Sequence, residues 1–541
     1  MLGASGGSVA TAPDPVARRP RASWLPRPGS WAWGAIAAAL AFVALTAWWL
    51  SVDRSVQYND AAQHLFFAFS FRDAIDHGAL LRAVGFGQFY PPATYVLGAV
   101  ATLIGGVSVA TPILAQNVVY VPLLALACYQ LGRRTAGPAA GLLAVLFALG
   151  APLIVEQFHV FMLDAPLTAV VAVTVWLLVA SEHFSRVGVA ALAGLALGLA
   201  ILTKELAPAY VVGVLACTLV RGSGWRHWRG LLAFAIAALA VGAPWYVRQL
   251  ALGHGSMLLE AAGSGRDVPA AAAPALLSLS NLTWYGWATL NGLLFAPLFA
   301  FAAVGVGVAV VRVSRTRPLE DPTFDLLCGL GAAWLLLLLM PHHDMRYTME
   351  LIVFLAVLGT AWIVRLAPPS RAVTATLLLG AIAAAHMGAT FGLGAEGTPH
   401  LPGNRRATYG EGVPPRGHII AYAGQDYMVS GPHTHPDVLG LFRALRREGA
   451  TSIGWDDQVE RWDSTFEAIG LVDFAYVAGL GVIPEEAQTS IPAPRQAMLI
   501  RARSLGGAGP PCLRLRDGTN VWVHVGLAGG GAQTRCPAGV T

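Results

Sequence analysis

The sequence predicts a mainly α-helical, polytopic transmembrane bundle of about eleven spans that ends in a small α/β domain outside the membrane. Three observations predict it. Of 541 residues, 55% are hydrophobic and only 12% charged, with mean hydropathy +0.58. An ordinary soluble domain is about 25% charged. A chain so poor in charge cannot cover a water-facing surface with polar side chains, which excludes a soluble enzyme, a disordered chain and a nucleic-acid binder. Second, apolar runs of spanning length recur from Trp31 to Phe391. Third, residues 394–541 hold 14 of the 30 acidic residues and 13 of the 34 arginines, a balance compatible with water. The net charge of +5 and pI near 9.0 match the cationic excess of cytoplasmic loops rather than a basic groove.

The elements follow in order. Residues 1–30, rich in Pro, Arg, Ala and Gly, read as a disordered cytoplasmic tail. The run 31–50 has spanning length and no convincing cleavage pattern, so it reads as a signal anchor with residue 51 onward outside. Arg133/Arg134, Arg186, Arg221/Arg226/Arg229, Arg312/Arg315/Arg317 and Arg365/Arg371 form basic clusters. Placed in the cytoplasm, they require paired crossings between them. The pairs are 139–155 with 163–180, 187–202 with 206–220, 231–247 with 284–311, and 324–340 with 347–364, followed by a last span at 373–391. Residues 113–131 make a full span. The shorter run 93–104 reads as re-entrant or interfacial; the alternative has it crossing and leaves two arginines on the wrong side. The transmembrane part is thus 31–393, with a first outer loop at 51–92. In the C-terminal domain, 437–448 has helical spacing, 451–455 reads as a strand, 463–469 as a helix, and 474–477 and 497–503 as strands. Strands at 512–515 and 521–525 flank Asp517-Gly518, a hairpin signal.

Three of the five cysteines, Cys128, Cys217 and Cys328, lie in apolar spans as small packing residues. Cys512 and Cys536 lie in the outer domain, where an oxidising compartment favours a disulfide between them; two unpaired thiols are the alternative. The chain has no zinc spacing, no Gly-rich phosphate loop and no internal repeat.

Charges beside a bilayer are costly, and here those outside the basic clusters gather at the outer ends of helices. In the first loop, Asp60 and His64 share one face of an amphipathic helix whose aromatics suit the membrane interface. Asp60 could act as a base towards a hydroxyl, or it or Asn59 could simply cap the helix. Tyr90-Pro91-Pro92 makes a rigid turn that shapes this loop. Asp164 stands at the entrance of a span, as a cap or as a second carboxylate that could hold a divalent cation. Lys204 is the single lysine of a chain that otherwise uses arginine, a bias that, with the Ala and Gly excess, points to a GC-rich bacterial genome. It suits a phosphate oxygen, or else pairs with Glu205 or snorkels to headgroups. Arg248 ends an outgoing span. His342, His343, Asp344, Arg346 and Tyr347 form the densest cluster, read as phosphate-binding through Arg346 and a histidine or as an interfacial anchor.

Together, Asn59-Asp60, Tyr90-Pro91-Pro92, 162–167, 198–205, Pro244-Trp245-Tyr246 and 343–347 resemble the GT-C integral-membrane glycosyltransferases. The likeness runs over about residues 31–393. It is strongest to bacterial polyprenyl-phosphate-sugar-dependent members related to protein mannosyltransferases and aminoarabinose transferases. The resemblance implies inverting transfer of a sugar from a polyprenyl-phosphate donor to a glycan, lipid or protein hydroxyl at the outer face of the bacterial inner membrane. It implies that Asp60 is the base, that Lys204 and Arg346 bind the departing phosphate, and that Asp164 organises donor or acceptor; by their own place at outer helix ends, His343 and Arg248 join the phosphate-binding set. Asn59, His64, Tyr90, Glu205, Asp344 and Tyr347 would support them. Many members carry Asp-Glu where this chain has Asn59-Asp60, so Asp53 stays a remote alternative base. A transporter or lipid flippase is the competing class. It would need repeats and polar sites near the bilayer centre.

Overall fold

The computed structural model describes residues 29–57, 59–79, 90–221, 224–255, 278–316, 321–340, 343–366, 369–390, 436–455, 468–483, 494–501, 510–514, 520–527 and 532–538. The expected tail at 1–30 falls almost wholly outside these residues, as do His342 and the Asp517-Gly518 turn. The membrane part runs α1 (Ser30–Val52), α2 (Asn59–Asp76), α3 (Ala93–Gly105), α4 (Ala110–Ala136), α5 (Pro138–Leu149), α6 (Pro152–Gln157), α7 (Asp164–Ala180), α8 (Val187–Ile201), α9 (Ala207–Arg221) and α10 (Trp228–Ala251). It continues with α11 (Leu279–Ala288), a π-helical turn (Thr289–Leu294), α12 (Phe295–Thr316), α13 (Pro322–Leu338), a 3-10 segment (Met345–Leu351), α14 (Ile352–Leu366) and α15 (Pro369–Thr390).

Among the described residues, six helices are long and apolar enough to cross a bilayer. Six more apolar helices are shorter, α3 among them. The chain is a membrane protein. At 13 residues, α3 extends only about 20 Å at 1.5 Å per residue, short of a hydrocarbon core of about 30 Å. It lies against α2, burying Tyr95 and Ala99 with Leu65, Ala68 and Phe71. The aromatics of α2 therefore face protein rather than an interface, and Phe66 alone of its phenylalanines is substantially exposed.

Two expected spans are broken. The run 139–155 divides at Gly150–Ala151, because Pro152 cannot continue the helix and instead starts α6. The run 284–311 passes through the π-helical turn, after which Phe295 takes φ +54. Such turns concentrate at functional sites.

Central and peripheral helices differ as a bilayer solvent requires. In α5 and α14 nearly every side chain is buried. Helices α1, α10 and α15 turn Leu40, Leu239 and Leu377 outward. Helices α8 and α10 touch through Gly194 and Gly198, where a Cβ would overlap the Phe234 carbonyl oxygen or crowd that of Ala238. Two glycines four apart let the backbones approach this closely.

The arginine clusters meet at one end. Arg365 donates to the Thr135 carbonyl at 2.6 Å and to Asp321 at 3.1 Å, and Arg312 reaches Asp321 at 3.1 Å. Arg221 pairs with Asp325 at 2.7 Å. Asp164, Lys204 and Arg346 stand at the other ends of the helices or helical segments that lead to Arg186, Arg221 and Arg365. Acidic and cationic chemistry thus occupies one end of the bundle and the basic clusters the other.

The C-terminal domain holds α16 (Val438–Arg447), β1 (Ser452–Trp455), α17 (Ala468–Ala478), β2 (Gly481–Val482), β3 (Gln496–Arg501), β4 (Leu513–Arg514), β5 (Asn520–Gly526) and β6 (Ala532–Thr534). The sheet order is β2-β1-β3-β5-β4, with β6 also on β5. β1 runs parallel to β2 and β3, and β5 antiparallel to β3, β4 and β6. The expected strand 474–477 is instead part of α17. Leu471, Phe474 and Ala475 recur at helical spacing and bury together against Leu441 and Leu445 of α16.

Cys512 and Cys536 form a disulfide with Cα atoms 5.1 Å apart. Their separation of 24 residues predicts that replacing both by serine lowers the stability of this domain by about 3 kcal/mol. Chemical denaturation followed by tryptophan fluorescence measures it.

Asp473 is 1% exposed, and neither carboxylate oxygen has a hydrogen-bond partner. Burial pushes it up to about 9. A folded value raised above the unfolded value of about 3.9 favours the protonated form, so its contribution is full below that value and is lost as pH rises towards 9. Asp473→Asn should therefore stabilise the domain at pH 7 by up to about 4 kcal/mol and flatten the wild-type slope between pH 4 and 9. Unfolding curves of both proteins across that range decide it.

Candidate active site

Two ion pairs form the centre of the polar end. Lys204, in the short connection between α8 and α9, donates to Asp164 Oδ1 at 2.7 Å. Lys204 is 5% exposed and Asp164 1%. Burial pulls the ammonium down, but the Asp164 carboxylate together with the Tyr90 and Tyr347 phenols outweighs it and holds Lys204 above its ordinary value. The connection is fixed by its backbone: the Lys204 amide donates to Ala200, the Ala93 amide to the Leu202 carbonyl, and the Tyr246 hydroxyl to the Ile201 carbonyl at 3.0 Å.

Arg346, at the start of the 3-10 segment, forms the second pair. Its Nη1 donates to Asp60 Oδ2 at 2.7 Å, across 286 residues of chain. Its Nε and Nη2 both donate to Asp344 Oδ2, at 2.8 and 2.5 Å. The Asp344 carboxylate also accepts from the Arg346 amide, so it caps the segment and aims the guanidinium at once. Burial raises Asp344, and the Arg346 charge together with the hydrogen bonds from its side chain and amide overrides this and holds it below the usual carboxylate range.

Aromatic rings close around both pairs. The Lys204 ammonium is 5.1 Å from the Tyr347 ring centre and 5.9 Å from that of Tyr90. The Tyr210 hydroxyl donates to the Tyr347 carbonyl at 3.1 Å. His64 is buried, lies edge-on to Tyr90 and shares a 3.0 Å hydrogen bond with Tyr95 Oη. Burial drives it down to about 4, although the charges of Asp60 and Asp164 pull upward. It is therefore a neutral imidazole at neutral pH.

The structure thus brings Asp60, His64, Tyr90, Asp164, Lys204, Asp344, Arg346 and Tyr347 together. Several alternatives of the sequence reading resolve differently. Asp164 does not cap α7; its carboxylate faces Lys204. Lys204 turns to Asp164 and not to its neighbour Glu205, whose carboxyl is raised by burial. His343 is directed to Asn281, at 2.7 Å from Nε2, and stacks on Trp284 at 4.7 Å. Arg248 lies on the last turn of α10. Asn59 opens α2, and Asp53 accepts from Ser55 just beyond α1.

Sequence reasoning missed several members. Glu156 on α6 feels the Arg346 and Asp344 charges, and burial pushes it up to about 8. Glu350 is 1% exposed. Both are acids in apolar surroundings, and the cost of charge beside lipid was the signal that could have found them. The buried phenols of Tyr95, Tyr210 and Tyr285 carried no such signal.

A divalent cation fits this donor set poorly. Asp60, Asp164 and Asp344 each face a cationic side chain rather than one another. Among the described residues, no three His, Cys, Asp or Glu side chains converge as metal ligands do.

Comparison with known proteins gives a family match over part of the chain. Residues 90–247 match dolichyl-phosphate-mannose-protein mannosyltransferase. The likeness to GT-C glycosyltransferases read from the motifs is borne out over that stretch, which contains Tyr90, Asp164, Lys204 and Glu205 and excludes Asp60 and Arg346. No curated protein matches the chain. Among solved structures, the chain is similar to ArnT from Cupriavidus metallidurans bound to undecaprenyl phosphate, at 19% identity and a TM-score of 0.48, covering 67% of this chain and 65% of that one. It is also similar to the oligosaccharyltransferase of Archaeoglobus fulgidus in complex with Zn and sulfate, at 13% identity and a TM-score of 0.44, covering 83% of this chain and 62% of that one. The chain therefore spans just under two thirds of the length of either.

Proposed function

We propose that the chain is an inverting glycosyltransferase that moves a sugar from a polyprenyl-phosphate carrier to a hydroxyl acceptor. The reaction takes place at the outer face of a bacterial inner membrane, with the N terminus in the cytoplasm and the C-terminal domain outside. The observation that carries this reading is the 2.7 Å contact between Asp60 and Arg346. It sets an acid next to a cation at the end of the bundle away from the arginine clusters.

The two cations have separate tasks. As they stand, Asp60, Asp164 and Asp344 put three carboxylates on two cations, so the centre has no spare positive charge. Asp164 is buried and the Asp344 side chain is 15% exposed, whereas the Asp60 side chain is 35% exposed. A lipid phosphate arriving at Arg346 displaces the most accessible carboxylate, Asp60. Seating the phosphate and freeing the base then become one event.

The freed Asp60 takes the acceptor proton. The acceptor oxygen attacks the anomeric carbon from the face opposite the phosphate, the carbon–phosphate-oxygen bond breaks, and the configuration inverts. The leaving group departs with the bonding pair as an anion, which Arg346 and Lys204 stabilise without any acid being required.

The flippase reading is disfavoured because the pairs stand at helix ends, while transport sites lie near the midplane. The test uses the whole chain in proteoliposomes with undecaprenyl-phosphate hexoses or pentoses labelled in the sugar, and a membrane extract as acceptor. Release of undecaprenyl phosphate with transfer of the label supports the reading. Label that only moves between leaflets on intact donor supports the flippase.

A further inference from the structure

The C-terminal domain holds the helix that carries Asp60 at two places. Ahead of α2, Val56 is buried in the hydrophobic core of the C-terminal domain itself. Gly470, at the start of α17, packs on the same stretch so closely that a Cβ would overlap the Gln57 carbonyl oxygen. Gln57 is three residues before Asp60. On the second half of α2, Phe69, Arg72 and Asp73 present one face, since residues three and four apart are neighbours on a helix. Tyr476 of α17 meets all three. Its ring stacks on Phe69 with centroids 4.8 Å apart, its hydroxyl donates to Asp73 Oδ1 at 2.5 Å, and it accepts from Arg72 Nη1 at 3.1 Å.

We propose that the C-terminal domain sets the position of Asp60 relative to Arg346, with Gly470 and Tyr476 as its positioning residues. Both residues grip parts of the chain close to Asp60: Gln57, three residues ahead of it, and the far end of its own helix. The other side of α2 packs on α3, whose Tyr95 holds His64. Helix α2 is thus clamped between the bundle and the outer domain, and its azimuth and height are determined by both. The domain needs no ligand of its own for this task. Its effect on the reaction passes through Asp60. The inference rests on the transferase reading for its consequence, while the clamp itself can be measured without it.

Three variants of the full chain in proteoliposomes test it. Gly470→Val pushes Gln57 away, Tyr476→Phe removes both hydroxyl contacts while keeping the stack, and Asp60→Asn is the reference. Turnover is read as undecaprenyl phosphate released from labelled undecaprenyl-phosphate sugar. Gly470→Val is expected to lower the turnover number about 100-fold, as misplacement of a reacting group by about an ångström does, and Tyr476→Phe by a smaller factor. Affinity for undecaprenyl phosphate should not weaken in either, because Arg346 and Lys204 are untouched. Amide hydrogen exchange over 59–76 should accelerate in both while exchange in α5 and α14 stays at wild-type rates.

Wild-type turnover and wild-type exchange of α2 in Tyr476→Phe and in Gly470→Val would overturn the inference. Loss of activity in Asp60→Asn alongside that result leaves the transferase reading standing and removes only the clamp. Full turnover in Asp60→Asn removes Asp60 as the base, and the exchange rates then decide the clamp alone; no turnover in the wild type removes the transferase reading. Should Gly470→Val fail to fold, Tyr476→Phe carries both readouts.

Discussion

Asp60→Asn should lower turnover by a factor of about 100 to 10,000, the range that removal of a general base commands, and yet bind undecaprenyl phosphate at least as tightly as the wild type. The two halves of this expectation come from one contact. With Asp60 as the proposed base, the amide cannot take up the acceptor proton, so chemistry slows. It also carries no charge, so Arg346 keeps Asp344 but loses its second carboxylate, at 2.7 Å. A phosphate then displaces a neutral amide instead of an anion. Charge-assisted contacts are roughly twice as strong as neutral ones, so the competition at Arg346 weakens. A titration of both proteins with undecaprenyl phosphate, beside a turnover assay, separates this from a structural defect, which would lower both. Weaker binding in Asp60→Asn with lost turnover would mean that Asp60 holds the site together, and the base would have to be sought elsewhere.

Much of this site was legible because a membrane makes charge expensive. Asp60, Asp164, Lys204, Asp344 and Arg346 each stood out as an ion beside an apolar run, and four separate stretches of chain placed them at helix ends on one side. Composition alone marked Lys204, since a chain with 34 arginines kept one lysine. What could not be read was who pairs with whom. Lys204 has Glu205 as its neighbour in sequence, and its partner lies 40 residues away. Spacing arguments reach three or four residues along a helix, whereas tertiary packing of α7 against α8 and α9 brings Asp164 to Lys204.

The fold divides in the same way. Long apolar runs appeared as helices, but their breaks at Pro152 and at the π-helical turn depend on local backbone chemistry that hydropathy averages over. At 474–477, Phe-Ala-Tyr-Val satisfies a strand pattern over four residues. Only the longer window back to Leu471 shows helical recurrence. The docking of α17 on α2 had no trace in sequence, because contacts some 400 residues apart leave no periodicity.

The Lys204–Asp164 pair should give the largest stability effect in the chain. Lys204→Met leaves the Asp164 carboxylate 1% exposed and without its cation, and breaking a buried pair from one side typically costs about 3–5 kcal/mol. Removing the acid as well, in Lys204→Met with Asp164→Leu, takes away the stranded charge and should restore most of the stability, since replacing a buried pair by apolar groups is often neutral. Stability and activity then part company. The double variant should melt near the wild type, read by thermal unfolding in detergent, and still release no undecaprenyl phosphate from labelled donor. A double variant that both folds and turns over would reduce the pair to an anchor. A single variant that melts like the wild type would show that Asp164 finds another partner. The position also requires lysine specifically: a compact ammonium fits between the rings of Tyr90 and Tyr347, 5.9 and 5.1 Å from their centres, where a planar guanidinium would need the rings to part. Lys204→Arg should therefore keep the charge, fold, and lose most of its turnover, which is the outcome a purely electrostatic role does not predict.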